Sequence, residues 1–227
     1  WHSIFVVLTI LVALILIAVH FYLPESKVPD INYSLKPAPI IKSYRSVLKE
    51  PQFYTYALTG SLASAALYAY IAGSPFVCMQ LFNASEKLYG WIFAIIASGL
   101  ILCSQVNSFL LRNKKSEQII KVALLLQTIT GITLFTASAM GLLNLFGTVS
   151  LIFIFLCCQG FIFPNSSALS LAPFHKNAGS ASALLGTIQM SIGALSSAMV
   201  SFLSNNTALP MTGVMALCAG LSFTVLM

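Results

Sequence analysis

The sequence predicts an all-α polytopic membrane protein with about seven transmembrane helices, and three observations carry that expectation. Apolar residues make up 58% of the 227 positions and charged residues only 7%, with a mean hydropathy of +0.92. A soluble globule carries roughly 25% charged residues because its surface faces water, which excludes a disordered chain, a nucleic-acid binder and an ordinary cytosolic enzyme. Apolar runs of the ~20 residues needed to cross a bilayer as a helix recur seven times, at 3–23, 52–73, 88–111, 119–140, 148–171, 178–204 and 208–227. Every charged residue falls between those runs except Lys121, in the first turn of the fourth. A transmembrane β-barrel shows alternating segments of about ten residues; here runs such as Ile4 to Val19 are unbroken.

The first run opens on Trp1-His2-Ser3, with neither a Met nor a basic leader. An apolar stretch without a basic start is not a secretory signal, so the expectation is a fragment whose earlier helices precede Trp1. Residues 24–51 form the one long polar connector. It contains Pro24, Pro29, Pro37, Pro39 and Pro51, and mixes five basic with three acidic residues. Proline spacing argues against one continuous helix there, although Ile40 to Glu50 suits a short amphipathic helix on the inner surface. The expected organisation is therefore a helix at 1–23, a cytoplasmic linker at 24–51 and a six-helix block at 52–227. One helix, a long linker and six helices is what remains of a two-halved, twelve-helix carrier cut before its sixth helix.

Charge placement sets the orientation. Alternate connectors hold ten of the eleven basic residues: Lys27, Lys36, Lys42, Arg45 and Lys49, then Arg112, Lys114, Lys115 and Lys121, then Lys176. Only Lys87 lies on the other side. Lys and Arg accumulate on the cytoplasmic side of short loops, so the first span is expected to run from outside to inside and Met227 to end inside.

The five cysteines imply no disulfide framework. Cys103, Cys157, Cys158 and Cys218 sit inside apolar runs, and the adjacent Cys157 and Cys158 suit neither a disulfide nor a tetrahedral metal site. No metal or cofactor is expected.

Several run edges resemble one family. Phe21-Tyr22-Leu23-Pro24-Glu25-Ser26 resembles the signature closing the sixth helix of Bcr/CflA-type drug transporters, in the major facilitator superfamily. Ala69-Tyr70-Ile71-Ala72-Gly73-Ser74-Pro75-Phe76-Val77 resembles the end of that family's seventh helix more closely. Tyr89-Gly90-Trp91-Ile92-Phe93-Ala94 is similar to the start of the eighth. Ala172-Pro173 with Ala178-Gly179-Ser180-Ala181-Ser182-Ala183-Leu184 is similar to the entry to the eleventh. The resemblance covers the whole chain in order. It implies the C-terminal half, plus one preceding helix, of a major-facilitator-type bundle in a bacterial inner membrane. It further implies proton-coupled export of drugs or small amphipathic compounds, with the missing N-terminal half, substrate and protons as partners beside the bilayer. A carrier for another small metabolite is the alternative within the superfamily. Leu111-Arg112-Asn113-Lys114-Lys115-Ser116 departs from the superfamily's basic loop pattern.

No Asp, Glu, Lys or Arg lies at mid-membrane depth. Intramembrane ionisable groups mark proton and ion pathways, so coupling cannot be assigned to this chain. His2, His20 and His175 lie at run ends and receive no role. The remaining candidates are neutral. Gln159 and Gln189 fall near the middle of the fifth and sixth runs, where an amide either bonds a neighbouring helix or faces a wet cavity and substrate. Gly179, Ser182, Gly186, Gln189, Gly193 and Ser196 recur at steps of three and four, forming either a packing seam or a polar pathway wall. Gln159, Ser166 and Ser170 share a face, and Gly160 with Pro164 is expected to bend that helix, as a static kink or a gate. Tyr56, Gly60, Ala63, Leu67, Tyr70 and Ser74 form a stripe on the second span, where Tyr70 is an interfacial aromatic or stacks on a flat substrate. Gly73-Ser74-Pro75 is expected to end or re-aim the helix as a hinge or outer gate. Gln105 and Asn107, near an inner end, are expected to be solvated.

Two other classes of membrane protein fit the residues less well. A heptahelical receptor carries an acidic-Arg-aromatic triplet closing its third span, but here the residues are Leu111-Arg112-Asn113. No Asn-Pro-x-x-Tyr or retinal lysine occupies the last span. A membrane-embedded enzyme needs acids, histidines or a nucleophile-base pair, and the serines here have no mid-membrane base. The expected substrate contacts are Tyr70, Gln159 and Gln189. The expected hinge or gate residues are Gly73, Ser74, Pro75, Gly160 and Pro164.

Overall fold

The computed structural model describes residues 2–23, 37–174 and 177–227. The expectations placed on Pro24-Glu25-Ser26, on the linker through 36, and on His175 and Lys176 lie outside those residues. Within them, seven helices are long and apolar enough to cross a membrane. Two compact units divide the chain at Pro39 and Ile40.

The first unit contains α1 (His2–Tyr22), which is apolar around its whole circumference, as a lipid-embedded span must be. α2 (Pro37–Leu48) begins in the linker, and from Ile40 onward belongs to the second unit. The rest of that unit is α3 (Pro51–Pro75), α4 (Glu86–Leu110), α5 (Ser116–Ala139), α6 (Leu145–Leu171), α7 (Ala178–Phe202) and α8 (Leu209–Leu226). Helix starts follow local chemistry. Ser85 Oγ accepts from Leu88 N at 3.2 Å at the head of α4, with Glu86 in its first turn. Asn144 Oδ1 accepts from Gly147 N at 2.8 Å before α6, and Pro51 occupies the first turn of α3, where its missing N–H costs nothing.

α3 and α6 pack against each other at the centre of the six-helix bundle. α7 and α8 also pack on α3, α4 and α5 pack on α6, and α5 meets α8. The largest apolar cluster includes Tyr70 of α3, Leu134 of α5, Phe155 and Leu156 of α6, and Met211 and Met215 of α8. α2 sits at the end that carries the basic connectors. There Val47 is wholly buried with Phe53, Ala57, Ala181 and Leu185. Ser43 Oγ donates to Ser180 Oγ at 3.0 Å, and Gln52 Nε2 to Leu169 O at 2.9 Å.

The expected break at Gly73-Ser74-Pro75 does not end the helix. α3 runs through Pro75 and continues without a gap as a π-helical stretch, Phe76–Leu81. Pro75 has no N–H for Ile71 O, and the chain answers by widening its turn, so that Phe82 N reaches Val77 O at 3.1 Å. Ending a helix in hydrocarbon strands several carbonyls, whereas widening a turn re-satisfies most of them.

Candidate functional site

Among the described residues, three polar or aromatic clusters join α3, α4, α5 and α6. The first lies between α3, α5 and α6. Gln159 is buried, its amide 2.6 Å from Ser64 Oγ and 3.3 Å from Gln127 Nε2. With the amide turned over, Nε2 donates to Ala63 O at 3.2 Å and Oε1 accepts from Ser64 Oγ. Gln159 is tied to α3 in either orientation. Gln127 is completely buried, and its Oε1 has no partner among the described residues. Gln127 is not among the candidates singled out from the sequence, although it stands near mid-span in the 119–140 run as plainly as Gln159 does in its own.

The second cluster overturns an expectation. Asn107 is buried rather than solvated, and its Oδ1 accepts from Asn165 Nδ2 at 2.6 Å. Asn165 Nδ2 also donates to Phe161 O at 2.8 Å, in the helical turn that Pro164 weakens. Closeness to a helix end does not imply water when the facing helix covers that end. Gln105, two residues earlier, does lie exposed.

The third cluster is aromatic. Tyr70 is 1% exposed, and its ring stacks on Phe93 of α4 at 6.3 Å between centroids and 17° between planes. Its hydroxyl has no partner among the described residues. Ser74 Oγ and Tyr89 Oη lie 3.0 Å apart close by. Gly73 allows α8 close: a Cβ there would fall 2.7 Å from Met211 Cβ.

The small-residue stripe on α7 divides in two. At Gly193 a Cβ would meet the Tyr68 ring at 2.7 Å, and Ser196 Oγ donates to Ala65 O at 2.6 Å, so this half is a packing seam with α3. Gly179 and Gly186 face open space, and Gln189 between them and the seam is half-buried. Tyr68, which touches Gly193 and whose hydroxyl lies 3.7 Å from Met190 Sδ, joins α3 to this part of α7 and was not among the residues singled out from the sequence.

On α6 the polar face is turned inward. Ser166 abuts Gly60 of α3, and Ser166 and Ser170 are wholly buried. α6 is a single α-helix from Leu145 to Leu171 across both Gly160 and Pro164. A Cβ at Gly160 would lie 2.6 Å from Leu100 O, so the glycine lets α4 and α6 touch backbone to backbone. Tyr70, Gln159 and Gln189 share no hydrogen-bond partner among the described residues. Tyr70 and Gln159 stand behind the surface, and Gln189 stands on it. Apart from the Tyr70 hydroxyl, every buried polar side chain among the described residues is a neutral Ser, Thr, Asn or Gln.

Comparison with known proteins gives this arrangement its context. The family model described as the Major Facilitator Superfamily matches residues 1–197. An uncharacterized MFS-type transporter, YdgK, of Bacillus subtilis is 28% identical over 225 residues, covering 96% of this chain and 54% of its own length. A bicyclomycin resistance protein homolog of Haemophilus influenzae is 23% identical over 222 residues, covering 98% of this chain and 56% of its own. The chain thus spans about half the length of the curated relatives it matches. A family match through most of the sequence, on a bundle of spanning helices with a neutral polar interior, identifies the chain as a multi-pass membrane protein belonging to the Major Facilitator Superfamily.

Proposed function

We propose that the chain is the C-terminal half, with one preceding helix, of a proton-coupled carrier that exports drugs or small amphipathic organic compounds from a bacterium across its inner membrane. The observation that carries this reading is the alignment of 98% of the chain with a bicyclomycin resistance protein homolog. An interior with only neutral polar groups supports a division of labour. This half supplies substrate contacts and support, and proton coupling resides in the half not included here. The basic connectors and the C-terminal end face the cytoplasm, by the distribution of Lys and Arg.

In this reading, the six-helix half rocks against its counterpart around a midplane cavity. Gln189, half-buried on α7, meets substrate directly. Gln159 and Tyr70, one layer deeper, meet it when α3, α4 and α6 rearrange. Gly73, Ser74 and Pro75 form an outer hinge, supported by the change of winding at Phe76–Leu81, since π-helical turns concentrate at functional sites. Gly160 and Pro164 act as the pivot of α6.

The test is expression of the full-length protein in a bacterium stripped of its own efflux pumps. Drug resistance that collapses with a protonophore, and proton-gradient-driven export from membrane vesicles, are the expected results. Absence of resistance to any amphipathic compound, with transport indifferent to the proton gradient, rejects the reading. If Gln159→Leu with Gln189→Leu leaves the export and inhibition profiles unchanged, the two glutamines are not substrate contacts.

A further inference from the structure

A groove bounded by α4, α5 and α6 lies at the end of the bundle that carries the basic connectors. It holds about 630 Å3, backed by the buried Ile119, Ala123 and Cys158, with Phe161 and the exposed Val122 and Leu126 on its apolar wall and the exposed Lys114, Gln118 and Lys121 at its polar end. The groove opens onto the outer face of α5, where Val122, Leu126, Ile129 and Ile132 are 61%, 51%, 53% and 52% exposed. An unbroken apolar face of this kind belongs in hydrocarbon, and a groove that opens onto it has the lining an acyl chain requires.

The polar end has the opposite character. α5 begins at Ser116, so the positive end of its dipole lies beside Lys114 and Gln118, which line the groove. Lys114 and Lys121 are both solvent-exposed there. The connector and the first two turns of α5 hold Arg112, Lys114, Lys115 and Lys121 against one carboxylate, Glu117. Between Lys121 and Leu126 the surface changes from cationic to wholly apolar over a helical rise of about 7.5 Å. A phospholipid makes the same change between its phosphate and its acyl chains, and the excess of cations selects a negative headgroup.

We propose that this groove binds an anionic glycerophospholipid of the phosphatidylglycerol type. Its phosphate sits between Lys114, Lys121 and the start of α5, and one acyl chain lies along Val122, Leu126 and Phe161.

Native mass spectrometry of the delipidated full chain tests the assignment, by titration with dioleoyl phosphatidylglycerol and, separately, dioleoyl phosphatidylcholine. The anionic lipid is expected to bind more tightly, and Lys114→Gln with Lys121→Gln to remove about tenfold of that preference. Val122→Trp, which narrows the groove from its exposed wall, is expected to weaken both lipids. Lys42→Gln with Lys49→Gln, exposed on the other basic connector, is expected to change neither. Equal binding of the two lipids overturns the proposal, as does a preference that survives loss of Lys114 and Lys121. An equal loss in the Lys42 and Lys49 variant overturns it too, by revealing diffuse attraction, and an unaffected Val122→Trp rejects the acyl-chain placement. Thermal unfolding of each variant confirms that the fold is retained.

Discussion

Asn165 of α6 donates to Asn107 of α4 at 2.6 Å, and both side chains are buried. Two amides 58 positions apart in the sequence thus join helices whose other contacts are apolar or small. Within a membrane such a bond contributes about 0.6 kcal/mol on average, but leaving one member unpaired costs about 1–3 kcal/mol. Asn107→Leu and Asn165→Leu are each expected to lower thermal stability in detergent. The double variant should cost less than the sum of the two, read from a double-mutant cycle on unfolding midpoints.

Gly160 and Gly186 give opposite expectations for the same substitution. Gly160→Ala forces a Cβ against Leu100 O, and overpacking of that kind costs about 1–3 kcal/mol. Gly186→Ala meets nothing within 4 Å, and relieves a helix interior of glycine, a gain of about 0.5–1 kcal/mol. Unfolding midpoints of the two variants measure the contrast. Loss of export in full-length Gly186→Ala, with stability intact, would show that the open side of α7 meets the other half or the substrate.

The glutamines should separate in the same way. Gln159→Leu removes the partner of Ser64 and Gln127, so stability falls by about 1–3 kcal/mol. Gln189 has no hydrogen-bond partner among the described residues, and Gln189→Leu is expected to leave the unfolding midpoint unchanged while shifting the inhibition profile of the full-length carrier. A midpoint shift for Gln189→Leu equal to that of Gln159→Leu counts against the assignment.

Pro75→Ala restores an N–H opposite Ile71 O and favours regular α winding through Phe76–Leu81. If this stretch is the outer hinge, the variant is expected to keep substrate affinity and lose several-fold in turnover, because gating motions often limit carrier and enzyme rates. Equal turnover in wild type and Pro75→Ala removes the hinge role.

The sequence by itself determined the membrane class, the number of spans and most of their limits. Expected spans such as 88–111 and 178–204 correspond to α4 (Glu86–Leu110) and α7 (Ala178–Phe202) within a few residues. Hydropathy is a property of consecutive residues, and a span of about 20 apolar residues has few alternatives in a bilayer. The second span was the exception. Its apolar run pauses at Gly73-Ser74-Pro75, while the helix continues to Leu81 because hydrocarbon penalises an open end more than a proline. Tertiary structure alone decided which polar residues pair. Nothing local to Asn107 distinguishes it from Gln105, two residues away and exposed. Nor does the mid-span position of Gln127 reveal that it meets Gln159, while Gln189 is left half-open. Partner choice depends on how α3 and α6 draw four other helices around them, and that is set by close approaches such as Gly160 on Leu100 and Gly73 on Met211. In a membrane, where apolar surface gains little by leaving lipid, such contacts and the amides between them fix the arrangement.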